Sequence, residues 1–219
     1  MTRDEAIALL LLRATRSGDA ALTTAMQTEM NFVQQQVLEK LPTLPWFLVS
    51  EFLTATTIPE EERILLPADI GVTGRSFLRE HETCSLWLLP TGATDWVELR
   101  KDDYDVLYNR YKSATGTPVG YSLDNTYFYL KPTPDVAYSL RMRVYLRDTP
   151  LTTNVENNWL KHAADLVIAE TGVVLAGQYL HDEMLLARFD AAAQAARHRL
   201  LIAHEAREHA GRDYAAGDD

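Results

Sequence analysis

Apolar residues recur at helical spacing at both ends of this chain and alternate with polar ones in the middle. Thr2 can cap a first helix, with Asp4 and Glu5 in its first turn, where the helix dipole favours acids. Ser17-Gly18 predicts its end. Asp19 can cap a second helix over about Ala20 to Lys40, in which Leu22, Met26, Met30, Val33 and Val37 keep the period until Pro42 and Pro45 stop it. Near the other end, a stretch from about Asn158 to Leu180 is apolar almost all the way round, which predicts a buried helix. Ala169, Gly172 and Ala176 stack on one side of it, where another backbone can approach closely. Asp182 caps a fourth helix that carries Leu186, Phe189, Ala193, Ala196, Leu200 and Ala203 on one stripe and charges on the other face.

The period changes at Pro45. Trp46 to Val49 and Phe52 to Thr57 read as strands, rich in aromatic and β-branched residues. A short strand at Arg63 to Leu66 follows a turn at Pro59. Cys84 to Leu89 and Asp95 to Arg100 predict a hairpin about Pro90-Thr91-Gly92, and Asp102 to Tyr111 a short helix. Thr126 to Leu130 is an aromatic strand. Tyr138 to Arg147 alternates, with Leu140, Met142, Val144 and Leu146 on one face and Ser139, Arg141, Arg143, Tyr145 and Arg147 on the other. The expected fold is therefore α+β: a bundle of about four helices, two from each end of the chain, with a small antiparallel β domain inserted. The expected boundaries are 1–44 for the first helical pair, 45–151 for the β insert, 152–210 for the second pair, and a flexible polar tail over 211–219.

Composition narrows the function. With 31 acidic and 21 basic residues the net charge is −10, so the chain does not grip nucleic acid by general attraction. One cysteine, Cys84, allows no internal disulfide and no zinc site built from thiolates. The apolar run Ile7 to Leu12 is too short to span a membrane, and Asp4 and Glu5 stand where a signal peptide has basic residues. The expected place of synthesis is the cytosol.

Candidate chemistry is sparse. In His204-Glu205-Ala206-Arg207-Glu208-His209 the histidines are five apart, about 140° around a helix, whereas a helical zinc protease motif needs four. His81, Glu82 and Cys84 lack an orienting third group for a nucleophile pair. Asp102, Asp103 and Asp105 lack the spacing and glycine of a calcium loop, and sit where helix-starting acids ordinarily do. Gly71, Gly74 and Gly92 lack phosphate-loop spacing. No catalytic residue, cofactor site or metal site is expected. The stripe Arg141, Arg143 and Arg147 reads either as a solvated strand face or as a contact with an acidic partner or a nucleic acid backbone, a protein contact being favoured over DNA.

A further pattern runs through the middle and C-terminal parts. It comprises Glu62-Arg63-Ile64-Leu65-Leu66-Pro67-Ala68-Asp69, Trp96 to Lys101, Asp105 to Tyr111, Gly116-Thr117-Pro118-Val119-Gly120-Tyr121, Tyr127 to Asp135 with its Pro-x-Pro-Asp punctuation, Tyr138 to Tyr145, and Asn157-Asn158-Trp159-Leu160 before the alanine-rich helices. In order and spacing, over roughly residues 45 to 200, this resembles the head-to-tail adaptor (connector) proteins of tailed bacteriophages.

The resemblance implies a non-enzymatic virion protein, made in the host cytoplasm and placed at the neck of the particle. It implies a ring, commonly of twelve subunits, below the portal protein, joining it to a tail or nozzle protein and continuing the channel for the genome. DNA would pass without sequence-specific binding, and no membrane is involved. An acidic wall suits that passage, because like charges hold the duplex off it. On this reading Arg197, Arg207, Arg212 and Tyr214 face the portal, and Arg141, Arg143 and Arg147 face a neighbouring subunit or tail protein. The alternative is a non-enzymatic β module that binds host carbohydrate or another tail protein, with Trp87, Trp96, Tyr127 and Tyr129 as an exposed aromatic platform.

Overall fold

A computed structural model describes residues 1–49, 53–65, 77–80, 86–124, 127–152 and 154–215, with residues 65, 77, 80 and 208–215 described as backbone only. The pairs His81-Glu82 and Gly71-Gly74, and Cys84, lie outside the described residues. The chain is mixed α and β and forms two compact units. One comprises Met1–Leu48 with Asp148–Asp219, and the other is Val49–Arg147.

The helical unit begins with α1 (Arg3–Arg13). Thr2 and Glu5 cap it reciprocally: the Glu5 N–H donates to the Thr2 hydroxyl oxygen, and the Thr2 N–H donates to the Glu5 carboxylate. It ends four residues before the expected Ser17, because Thr15 turns the chain with φ of 57°. Asp19 caps α2 (Ala20–Gln36) by accepting from the Leu22 N–H at 3.0 Å. Met26, Met30 and Val33 turn inward and are fully buried. A single 3₁₀ turn, Leu38–Lys40, follows.

Trp46–Leu48 forms a second 3₁₀ turn instead of the expected strand. Packing overrides β-propensity here, since Phe47 meets Trp159 edge-on at 5.1 Å within the helical core. The expected third long helix is three pieces: α4 (Asn158–His162), α5 (Ala164–Val174) and a π-helical turn, Leu175–Leu180. Ala163 leaves helical geometry at φ −139°, ψ 33°, and His181 ends the π turn in the left-handed region at φ 50°. The helix α6 (Glu183–Ala215) is 33 residues long.

The helix α5 packs closely on α6 at Gly172. A β-carbon built on Gly172 would stand 2.4 Å from Cδ1 of Phe189 and 2.5 Å from its Cγ. The expected close approach on the Ala169–Gly172–Ala176 side is therefore made by an aromatic ring, not by a backbone.

In the second unit, nine strands among the described residues form two sheets. They are β1 (Leu53–Thr56), β2 (Arg63–Leu65), β3 (Phe77–Glu80), β4 (Leu86–Leu89), β5 (Val97–Lys101), β6 (Gly120–Asp124), β7 (Tyr127–Lys131), β8 (Ser139–Met142) and β9 (Val144–Leu146). Seven of them pair in the order β1-β8-β4-β5-β6-β7-β2, and β3 pairs with β9. The insert is thus built on a large seven-stranded sheet where a small antiparallel domain is expected, and it is not wholly antiparallel. Arg100 and Lys101 of β5 run parallel to Gly120 and Tyr121 of β6. The helix α3 (Tyr104–Tyr111) makes that crossover between them.

The single alternating strand expected over Tyr138–Arg147 breaks at Arg143. Its first half, β8, pairs with β1 and β4, and its second half, β9, pairs with β3. Tyr145, expected on the solvent face with the arginines, is fully buried.

Candidate interface on the long C-terminal helix

The buried framework of the helical unit is polar where the two ends of the chain meet. Gln34 of α2 donates to Glu39 Oε1 at 3.2 Å and to the Thr149 carbonyl at 3.3 Å. Its own carbonyl oxygen accepts from the Asn157 side-chain amide at 3.1 Å. Asp148, 3% exposed, accepts from the backbone N–H of Asn158 at 2.6 Å and of Trp159 at 3.3 Å, holding the start of α4. Almost every polar atom in this clasp has a partner, as burial demands. It supports the helices and leaves α6 to present the surface.

Glu170 of α5 is 6% exposed and meets Arg197 of α6, with Nη2 to Oε1 at 2.6 Å and Nε to the same oxygen at 2.7 Å. Burial pushes the Glu170 carboxyl above its ordinary range, and the Arg197 charge pulls it part of the way back. Nearly three helical turns further on, the Arg207 guanidinium lies 4.3 Å above the Trp46 ring. Trp46 meets His162 at 6.0 Å, and His162 stacks on Phe47 at 5.3 Å. Partial burial, then the positive charges of Lys161 and Arg207, hold the His162 imidazole below its usual value.

Between these two anchors lies a groove of about 270 Å³, lined by Leu41, Pro42, Thr43, Pro45, Arg197, Leu200, Leu201 and His204. Its walls are apolar apart from Arg197, His204 and Thr43. His204 is 7% exposed, and its Nδ1 has no hydrogen-bond partner among the described residues. The histidine that a metalloprotease reading would use is thus a groove residue. Among the described residues no three His, Cys, Asp or Glu side chains converge to hold a metal, and no helix is long and apolar enough to cross a membrane.

The sequence-derived interface residues fall in separate places. Arg197 is tied to Glu170, and Arg207 to Trp46. Arg212 and Tyr214 lie on the last turns of α6, where only the backbone is described. In the β unit, Arg141 is held between two rings, 5.3 Å from the Trp87 centroid and 4.7 Å from that of Trp96. Arg143 is half-buried and Arg147 exposed.

The aromatic residues named as a sugar platform are engaged with their neighbours. Trp87 and Trp96 clasp Arg141. Tyr129 meets Tyr104 edge-on at 4.9 Å, and Arg63 lies 5.5 Å over Tyr127. Behind them Lys131, 2% exposed, pairs with Glu62 and donates to the Lys112 carbonyl at 3.1 Å. Sequence reasoning missed the groove and both ion pairs, because each joins segments far apart along the chain.

No curated protein matches this sequence. A protein family does: the family described as SU10 adaptor protein matches residues 1–217, which is nearly the whole chain and includes both units. The chain belongs to the SU10 adaptor protein family, a family of bacteriophage head-to-tail adaptors and so of virion structural proteins.

Proposed function

We propose that this chain forms a ring, commonly of twelve copies, beneath the portal, joins the portal to the tail or nozzle protein, and continues the DNA channel. The observation that carries this reading is the family match over residues 1–217. Two others support it. The net charge of −10 suits a channel wall that holds DNA off rather than gripping it. The length of α6, about 50 Å at 1.5 Å per residue, suits an element that extends beyond its own subunit.

Arg207, Arg212 and Tyr214 are assigned to the portal side, with Arg197 as the internal brace that sets the position of α6. Arg143 and Arg147 are assigned to a neighbouring subunit or tail protein, with Arg141 locked between Trp87 and Trp96 as their support. The role is structural and needs no catalytic group or cofactor.

Deleting the gene from the phage tests this assignment. Electron micrographs of infected cells should then show DNA-filled or emptied heads and separate tail parts, with no joined particles. Normal numbers of complete tailed virions would overturn it.

A further inference from the structure

The groove beside α6 has the features of a socket. It is apolar, and it holds a nine-tenths buried histidine whose Nδ1 lacks a partner. A buried polar atom of this kind costs free energy until something bonds to it. At about 270 Å³ the groove has room for roughly nine waters' share of liquid volume, or one long apolar side chain.

The same helix carries a matching plug. Met184, in the first turn of α6, is 85% exposed, the most exposed of the large apolar side chains among the described residues. It follows Asp182 and Glu183 directly. Charge is divided along α6 in the complementary sense. Asp182–Ala196 has three acids and one arginine, whereas Arg197–Arg207 has three arginines, two histidines and one acid. Met184 and Leu201 are seventeen residues apart on one helix, about 25 Å, so a chain cannot fill its own socket. A closed ring needs two different complementary faces on each subunit. A plug and a socket at opposite ends of one helix satisfy that requirement.

We propose that the Asp182–Leu185 segment of one copy docks in the groove of the next, with Met184 entering between Pro42 and Leu201. The neighbour's Glu183 carboxylate accepts a hydrogen bond from His204 Nδ1. This inference rests on the ring reading and names the contact that closes the ring.

The test uses the full chain assembled with the portal of the same phage. Met184→Glu changes a solvent-exposed side chain, so the subunit should keep its helical circular dichroism. Its assembly should weaken by about tenfold or more. In a second variant, Met184→Cys combined with Leu201→Cys, mild oxidation should give a reducible ladder of linked chains. Peptide mapping should show a 184–201 disulfide, which can form only between copies. The Met184→Cys variant alone supplies the control for Cys84. Assembly of Met184→Glu at the wild-type level, or rings that form without any 184–201 link, would overturn the inference and leave the ring reading standing. Failure of the wild-type chain to form rings on the portal would remove both.

Discussion

Asn157 donates its side-chain amide to the carbonyl oxygen of Gln34 across 123 positions of sequence, at 3.1 Å and out of water. The same Asn157 caps α4 by accepting from the Leu160 N–H at 3.0 Å. One side chain therefore starts a helix and fastens the returning chain to α2. Together with Asp148, it fixes how the second half of the helical unit joins the first. The position of α6, and of the groove beside it, depends on that junction.

Asn157→Ala removes a cap and leaves Gln34 and the Thr149 carbonyl short of a partner. The expected cost is about 2–3 kcal/mol. Asp19→Ala removes an exposed cap and should cost about 1 kcal/mol. Urea denaturation of both variants beside the wild type measures the difference. Equal losses would show that the buried clasp adds nothing beyond capping.

Gly172→Ala offers a second contrast. Alanine is the better helix former by about 1 kcal/mol. Its methyl group would enter the Phe189 ring at 2.4 Å, and the whole ring must move. Overpacking of this kind costs about 1–3 kcal/mol. The expected net result is destabilisation, recovered in part by Phe189→Leu in the same chain. A thermal melt above that of the wild type would contradict the contact.

The Arg197–Glu170 pair should respond unequally to loss of either partner. Arg197 is 44% exposed at its side chain and can be hydrated when alone, while Glu170 cannot. Arg197→Ala should cost about 3 kcal/mol or more, and Glu170→Gln less than about 1 kcal/mol. The pH dependence has a definite sign. The folded carboxyl is raised above its ordinary 4.5, so folding favours the neutral acid. That contribution is complete below pH 4.5 and is lost as pH rises through the folded value. Without Arg197 the loss deepens. The stability deficit of Arg197→Ala should therefore widen from about pH 4 to pH 8, and a constant deficit would contradict it.

In the β unit, Lys131 is held by Glu62, by the Lys112 carbonyl and by the Tyr108 ring 5.4 Å away. Glu62→Ala leaves a buried ammonium without its counter-ion and should destabilise the chain by about 3–5 kcal/mol. Lys131→Met with Glu62→Gln replaces the pair together and should recover most of that loss. Chemical denaturation of the single and double variants reads the coupling directly.

Much of the local structure could be read from sequence, and the failures have physical causes. Thr2 and Asp19 cap the helices they were expected to cap, because an N-cap bond is local. The hairpin around Gly92 forms as its turn residues predict, with Leu86 opposite Leu99. The aromatic content of Trp46–Leu48 predicts a strand, but the segment forms a 3₁₀ turn, since Phe47 packs on Trp159, which is far along the chain. The parallel pairing of β5 with β6 has no signature in the weakly patterned segment Gly120–Asp124. Tyr145 alternates with arginines, but it is buried where β9 leaves the large sheet for β3. The groove could not be read at all: Pro42 and Leu200 become neighbours only after the two ends of the chain meet.

The central claim is that this adaptor forms a ring on the portal, and the most direct test is native mass measurement. The purified chain should be weighed alone and after mixing with the portal protein of the same phage. The account predicts a complex in which a ring of adaptor subunits, twelve for a twelvefold portal, adds to the portal at fixed stoichiometry. A chain that stays monomeric and leaves the portal mass unchanged would contradict it.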